Sequence, residues 1–377
     1  MDDRTVPGTP GTPGTPGDGT AGDGTAGTGA ATASSGQLDL EVLGVPLRVT
    51  TRWEQTRAAL AEQWRRCLAA PDPRAEVVDA GDVREMADQA GYGLASTLTL
   101  RAIEAAIGTR LMFHAAGLAT PDGAVVALIA ASGTGKTTAA LTLCREAFGY
   151  VTDETVSVGT GDEYDVLPYP KPLSVVRDPA QPYGKSQHGP DELGLRPTAG
   201  PLHLARVVLL ERVPEADGAS LAPVGLLDGI IAAAQQVSAL SRLSDPLQLM
   251  CRVADRCRGF YRLTYADIAT TTDLLVGLVD APRPRTAEDW RPWPADSRPE
   301  HWTDAVLVGD EALVLVGTLP IRLGPVGRTA LEVLLSGGDE TTVLAETVDR
   351  YGPHPQAERL VAEAVVAITA SDLLPRG

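Results

Sequence analysis

The stretch Val125-Val126-Ala127-Leu128-Ile129-Ala130-Ala131-Ser132-Gly133-Thr134-Gly135-Lys136-Thr137-Thr138 constrains this chain more than any other. An unbroken apolar run of strand length feeds a tight loop of small residues, and a helix start carrying a lysine follows. Such a loop turns successive backbone N–H groups toward an anion, and the helix that opens beside them adds its positive end. The strict pattern G-x-x-x-x-G-K-[ST] has glycine where this chain has Ala130, whereas Gly133, Gly135, Lys136 and the threonine pair are intact. Ser132, Gly133, Thr134, Gly135, Lys136, Thr137 and Thr138 are therefore the expected phosphate-binding residues, with Lys136 on the β- and γ-phosphates of ATP and Thr137 as a ligand to Mg²⁺. A glycine-rich strand-to-helix turn that binds nothing is the plain alternative.

Among 32 basic residues only three are lysines, Lys136, Lys171 and Lys185. Their scarcity marks them as places where a compact point charge is wanted rather than a planar fork. Partner acids follow from distance. A helix from Thr137 to about Phe148, closed by Gly149 as its C′ residue, rises about 18 Å, and six extended residues return about 20 Å. Asp153 and Glu154 thus come back to the phosphate end of the sheet, the alternative being a solvated acidic turn.

Bulk composition narrows the function classes. With 49 acids against 32 bases the formal charge is −17, which argues against a nucleic-acid or anionic-membrane surface. Cys67, Cys144, Cys251 and Cys257 show no metal-ligand spacing and read as reduced, buried thiols. No apolar run approaches the length of a membrane span, and the Met-Asp-Asp start lacks the features of a signal peptide, so the expected location is the cytoplasm.

Residues 1–36, rich in Gly, Thr, Pro and Ala, read as a disordered tail. A hairpin around Gly44, a helix from about Trp53 to Ala69 and another from Ala95 to Leu111 lead to the apolar segment Phe113-His114-Ala115-Ala116-Gly117-Leu118. Beyond the loop come a strand at Leu204–Leu210, helical pattern over about 225–256, a strand at Tyr261–Tyr265 and a helix to about Val279. Residues 281–300, with several prolines, read as a linker. Two short strands around Gly309-Asp310-Glu311 and three helices, near 326–335, 342–351 and 355–374, complete a small separate unit over 301–377. Leu335-Ser336-Gly337-Gly338 imitates an ABC-transporter signature but falls between two of these helices, so it is a turn.

Four pieces in order, Phe113 to Leu118, Ser132 to Thr138, Tyr150-Val151-Thr152-Asp153-Glu154-Thr155-Val156 and Pro170-Lys171-Pro172-Leu173-Ser174, make residues 37–280 resemble the HPr kinase/phosphorylase-like serine kinases. The fold this implies is an α/β P-loop domain shared with the phosphoenolpyruvate carboxykinases. The resemblance gives Asp153 to the metal, makes Glu154 the base for a seryl hydroxyl and places His114 near the phosphates. Glu stands at 154 where the family has Asp, and His114 taken alone reads as a packed core residue, a reading that the resemblance turns toward the phosphates. Lys171 and Arg177 are candidates to neutralise the transferred group or hold the acceptor, against a reading as ordinary loop cations.

The C-terminal unit resembles the PqqD-like RiPP recognition element, a winged-helix-like domain that pairs an extended leader peptide with a strand edge. The strand at Ala312–Val316 and the helix from Pro355 would form that groove. Eleven acids against five arginines in 301–377 disfavour DNA. The combined expectation is an ATP- and Mg²⁺-dependent kinase-like enzyme acting on a ribosomal precursor peptide, with partner biosynthetic enzymes and a second copy of the chain as further associates. A non-catalytic nucleotide-binding adaptor and a small-molecule kinase are the competing readings.

Overall fold

The computed structural model describes residues 36–81, 88–131, 133–176, 185–281 and 289–375. Residues 1–35 of the expected tail at 1–36, Ser132, Arg177 and most of the first half of the expected linker lie outside the described residues, while Gly36 opens the first strand. β1 (Gly36–Val42) and β2 (Val45–Thr51) form the expected hairpin, turned by Leu43 and Gly44 at positive φ. α1 (Glu54–Gln63) follows, and β3 (Glu76–Asp79) adds to β2 in parallel. α2 (Asp88–Ala106) covers this small sheet, burying Leu94, Leu98 and Ala102 among Leu40, Leu47 and Val49. It begins and ends before the expected range, because the apolar residues from Leu111 onward are extended in the next strand.

The central sheet is built from β4 (Arg110–Ala119), β5 (Ala124–Ile129), β6 (Gly149–Thr152), β7 (Thr155–Gly159) and β8 (Asp165–Leu167), and from four later strands. α3 (Lys136–Glu146) lies between β5 and β6. β9 (Leu173–Val176) and β10 (Lys185–His188) form a separate antiparallel pair. β11 (Leu202–Arg212), β12 (Ser220–Val224), β13 (Val237–Ser238) and β14 (Phe260–Tyr265) complete the sheet in the order β12-β14-β11-β5-β4-β7-β8, with β6 and β13 also on β4. β5, β11 and β14 run parallel, and the other pairings are antiparallel.

Side chains alternate along these buried strands, so each face has its own core. Val126, Leu128, Val208, Leu210 and Leu263 pack under α3 and α6 (Thr272–Asp280). Val125, Ala127, Ile129, Val207, Leu209 and Phe260 face α4 (Leu226–Ala234) and α5 (Pro246–Cys257). Gly229 lets α4 settle directly on the Phe260 ring, where a Cβ would collide. The expected C′ role of Gly149 is not observed. Ala147 ends α3, and Gly149 opens β6 with its backbone close to Pro197.

The C-terminal sheet contains β15 (Trp290–Pro292), β16 (Trp302–Val308), β17 (Glu311–Val316) and β18 (Leu319–Leu323) in that order, so part of the expected linker is an edge strand. α7 (Pro325–Leu335), α8 (Glu340–Tyr351) and α9 (Ala357–Thr369) follow, and 335–338 is the expected turn. One sheet face, with Ala305, Leu307, Ala312 and Val314, packs on these helices. The other face, with Val306, Val308, Leu313 and Leu315, joins the α4/α5 core, so the unit shares one core as well as closing its own. The expected groove strand also changes. β17 is paired on both sides, by β16 and β18, and has no free row of backbone groups; β18 is the outer strand beside it.

Asp304 fastens this sheet to α5. It is fully buried, and its carboxylate accepts from the Leu247 and Gln248 backbone N–H groups at 2.8 and 3.0 Å and from Gln248 Nε2 at 2.9 Å. Asp245, the residue at the N-cap, makes no side-chain cap bond, so the cap comes from the other sheet. Asp304→Ala is expected to cost about 2–3 kcal/mol by stranding these donors. Denaturant midpoints read the loss, and a shift below about 0.5 kcal/mol would contradict the assignment.

Candidate functional site

The loop after β5 delivers its residues as the strand, turn and helix pattern demands. Gly133 and Gly135 sit at φ +85° and +106°, which only glycine adopts without strain, and Gly135 caps α3. Lys136 is the first residue of α3 and is almost buried, at 7% exposure. Its ammonium folds back to donate to the carbonyls of Ala130 at 2.7 Å and Ala131 at 3.1 Å. Burial lowers its pKa from the ordinary lysine value, opposed by the charges of Asp153 and Glu154. An ammonium held on its own loop by two carbonyls has a short swing to an anion seated on that loop.

Asp153 and Glu154 stand at the turn between β6 and β7, as the helix-and-return distance requires. The Thr137 hydroxyl donates to Asp153 Oδ2 at 2.7 Å, joining the first turn of α3 to the acid. On the other oxygen, Oδ1, Asp153 receives the Tyr150 hydroxyl at 3.0 Å and the Lys171 ammonium at 2.8 Å. Lys171 also lies 3.2 Å from Glu154 Oε2 and donates to the Pro172 carbonyl at 3.1 Å. Asp153 and Lys171 are 6% and 4% exposed, whereas the Glu154 side chain is about one-third exposed.

Burial opposes both charges of this pair and is the largest single influence on each, but the neighbouring charges and hydrogen bonds together outweigh it. Asp153 is held below its usual range by Lys171 and by the Thr137 and Tyr150 hydroxyls. Lys171 is held above the lysine range by Asp153 and Glu154. The expected role of Lys171 as a group reaching for the acceptor is therefore not what the geometry presents; it is the buried counter-ion of the acid pair.

His114 lies half-buried on β4, opposite Thr155 of β7. Burial first, and then the Lys136 charge, lower its imidazole pKa from the ordinary value, while Glu154 and Asp153 pull the other way. The ring thus belongs to the same cluster as Lys136 and the acids. Its backbone N–H donates to the Gln236 carbonyl at 2.6 Å. The structure brings together His114, Lys136, Thr137, Asp153, Glu154 and Lys171 around the loop of Gly133, Thr134 and Gly135; Thr138 is exposed on the outer side of α3.

Two contributors escaped the sequence. Tyr150 orients Asp153 from three residues upstream and also donates to the Lys171 carbonyl at 3.2 Å, a role that a buried tyrosine on an apolar strand does not announce. Tyr265, the last residue of β14, brings its hydroxyl to 3.8 Å from the point where a Gly135 side chain would begin. Lys185, the third lysine, is elsewhere, stacked 5.8 Å from the Tyr92 ring centre. All four cysteines are buried free thiols, and burial pushes Cys67 up to about 12, so they are inert bystanders.

The donor set fits a triphosphate and a hard cation. Thr137 Oγ1 and Asp153 Oδ2 are adjacent oxygens of the kind Mg²⁺ takes, beside a helix start and a lysine. No described helix is long and apolar enough to cross a membrane. Comparison with protein-family models and with curated proteins returned no match for this chain.

Proposed function

We propose that this chain is an ATP-dependent, HPr kinase-like phosphotransferase of ribosomal-peptide (RiPP) biosynthesis, with a PqqD-like C-terminal unit that holds a precursor leader. The observation that carries the reading is the Thr137–Asp153–Lys171 linkage, which locks an acid pair against the helix start behind the glycine loop. In this reading the loop N–H groups and Lys136 bind the β- and γ-phosphates of ATP. Asp153 and Thr137 would hold Mg²⁺, which supplies charge neutralisation at the phosphates when bound.

The transfer joins a seryl or threonyl oxygen to the γ-phosphorus, breaks the bridging P–O bond with ADP as leaving group, and passes the hydroxyl proton to Glu154. Of the acid pair Glu154 is the more exposed, which suits the base, whereas buried Asp153 suits the metal. The outer strand β18, with Leu319 62% exposed, suits an added peptide strand.

A second reading is a non-catalytic nucleotide-binding adaptor serving partner enzymes. It is favoured by the ion pair of Glu154 with Lys171, which engages the carboxylate that the transfer needs free. Transfer of labelled γ-phosphate to a precursor peptide separates the two. Labelled peptide that vanishes in Lys136→Ala is expected; peptide and ATP binding without transfer in the presence of Mg²⁺ would remove the kinase reading.

A further inference from the structure

Beyond the phosphate loop, the face of the central sheet under α4 carries a feature that the nucleotide chemistry does not use. Asp228, Ile231 and Ala232 of α4 and its C-cap residue Gln235 recur at helical spacing along one side of the helix; Asp228 and Gln235 are exposed, and Ile231 and Ala232 are partly buried at the margin of the core that holds Leu227 and Ile230. Between this stripe and β12 lies a cavity of about 630 Å³, walled by Pro223 and Val224 and reached by Arg262 from β14. Arg262 is exposed and carries no ion pair among the described residues.

Position makes the cavity more than a surface dent. Arg262 is in register with Leu209 of β11, which is in register with Ile129, the last residue of β5 before the glycine loop. Two strand spacings place its backbone about 10 Å from the root of that loop, midway along β14. On the opposite side, Asp228 at the first turn of α4 pairs with Arg322 of β18 at 2.6 Å. In β18, Pro320 and Arg322 are in register with Leu315 and Leu313, so they share the sheet face turned to α4. A strand added to the β18 edge alternates its side chains between the two sheet faces, and every second one points to the α4 side.

The geometry points to the α4–β12 cavity as the acceptor subsite for a peptide held on β18, taking an aliphatic side chain against Val224, Ile231 and Ala232 and a neighbouring carboxylate on Arg262. This rests on the peptide-directed reading above and adds the chemistry of the acceptor segment. The free guanidinium supplies the charge complementarity, and the Asp228–Arg322 contact supplies continuity with the β18 edge. An acidic peptide is unusual for a chain of net charge −17, so the preference would be set locally by Arg262.

A displayed library of random dodecapeptides, selected against the full chain, tests the inference. The expected consensus carries Asp or Glu within two positions of an aliphatic residue. Arg262→Glu and Ile231→Glu, both on solvent-reachable positions, should each reduce its enrichment about tenfold, and reselection on Arg262→Glu should favour basic residues instead. Leu319→Glu on the exposed edge should also depress it. Consensus kept in Arg262→Glu and Ile231→Glu but lost in Leu319→Glu would leave the β18 edge standing and overturn the subsite. Loss in the first two with retention in Leu319→Glu would support the cavity and remove the edge, and no consensus at all would overturn both. Melting midpoints matching the parent show that each variant is folded.

Discussion

A Lys171→Met chain should be less stable than its parent by about 3–5 kcal/mol at neutral pH. The substitution keeps the aliphatic stem but leaves Asp153, 6% exposed, without the ammonium 2.8 Å away. The sign with pH follows from the two shifts. Asp153 is depressed in the parent, so its contribution is present above the ordinary aspartate value of about 4 and is lost as pH falls through the folded value. Lys171 is raised, so its contribution is present below the ordinary lysine value of about 10.4 and is lost as pH climbs through the folded one.

In the variant, burial without a cation favours the protonated acid, which reverses the first of these slopes. The deficit against the parent should therefore be large at pH 7 and shrink toward about pH 4. Urea denaturation at both values reads it. A deficit below about 1 kcal/mol at neutral pH, or one that widens in acid, would show that the pair is not the buried link described here.

Glu154→Gln carries the second large effect. The amide preserves shape and still meets Lys171, but it cannot take a proton from an attacking hydroxyl. Phosphotransfer to peptide should fall about 10²- to 10⁴-fold, with ATP affinity unchanged within about threefold. The split matters, because a merely structural role would move binding and the melting midpoint as well. Asp153→Asn should instead weaken Mg²⁺-dependent ATP binding. Full turnover in Glu154→Gln would refute the base assignment.

The parts of this site that the sequence reveals are those fixed by local chain geometry. An apolar run, two glycines and a lysine define the loop, and counting helix rise against strand return places Asp153 and Glu154 opposite it. Lys171 was visible as a rare lysine, but its destination depends on the bonds that Tyr169 and Lys171 make with Val151 and Tyr150 of β6, which is a tertiary matter. Tyr150 was hidden among apolar strand residues for the same reason.

At the C-terminus, β15 and β18 are three and five residues long and contain Pro292, Pro320 and Arg322, so their strand pattern is weak. The shared core did leave a signal. Ala305-Val306-Leu307-Val308 and Ala312-Leu313-Val314-Leu315 are unbroken apolar runs, and a strand apolar on both faces is covered on both. Reading them as strands of a small separate unit overlooked the second cover, which α4 and α5 provide.

Titration calorimetry of the full chain with ATP, in the presence and absence of Mg²⁺, tests the central claim most directly. Saturable binding that strengthens with Mg²⁺ and is lost in Lys136→Ala is the predicted result. Absence of binding heat across a range of temperatures, or binding that Lys136→Ala and Asp153→Asn leave unchanged, would contradict the account.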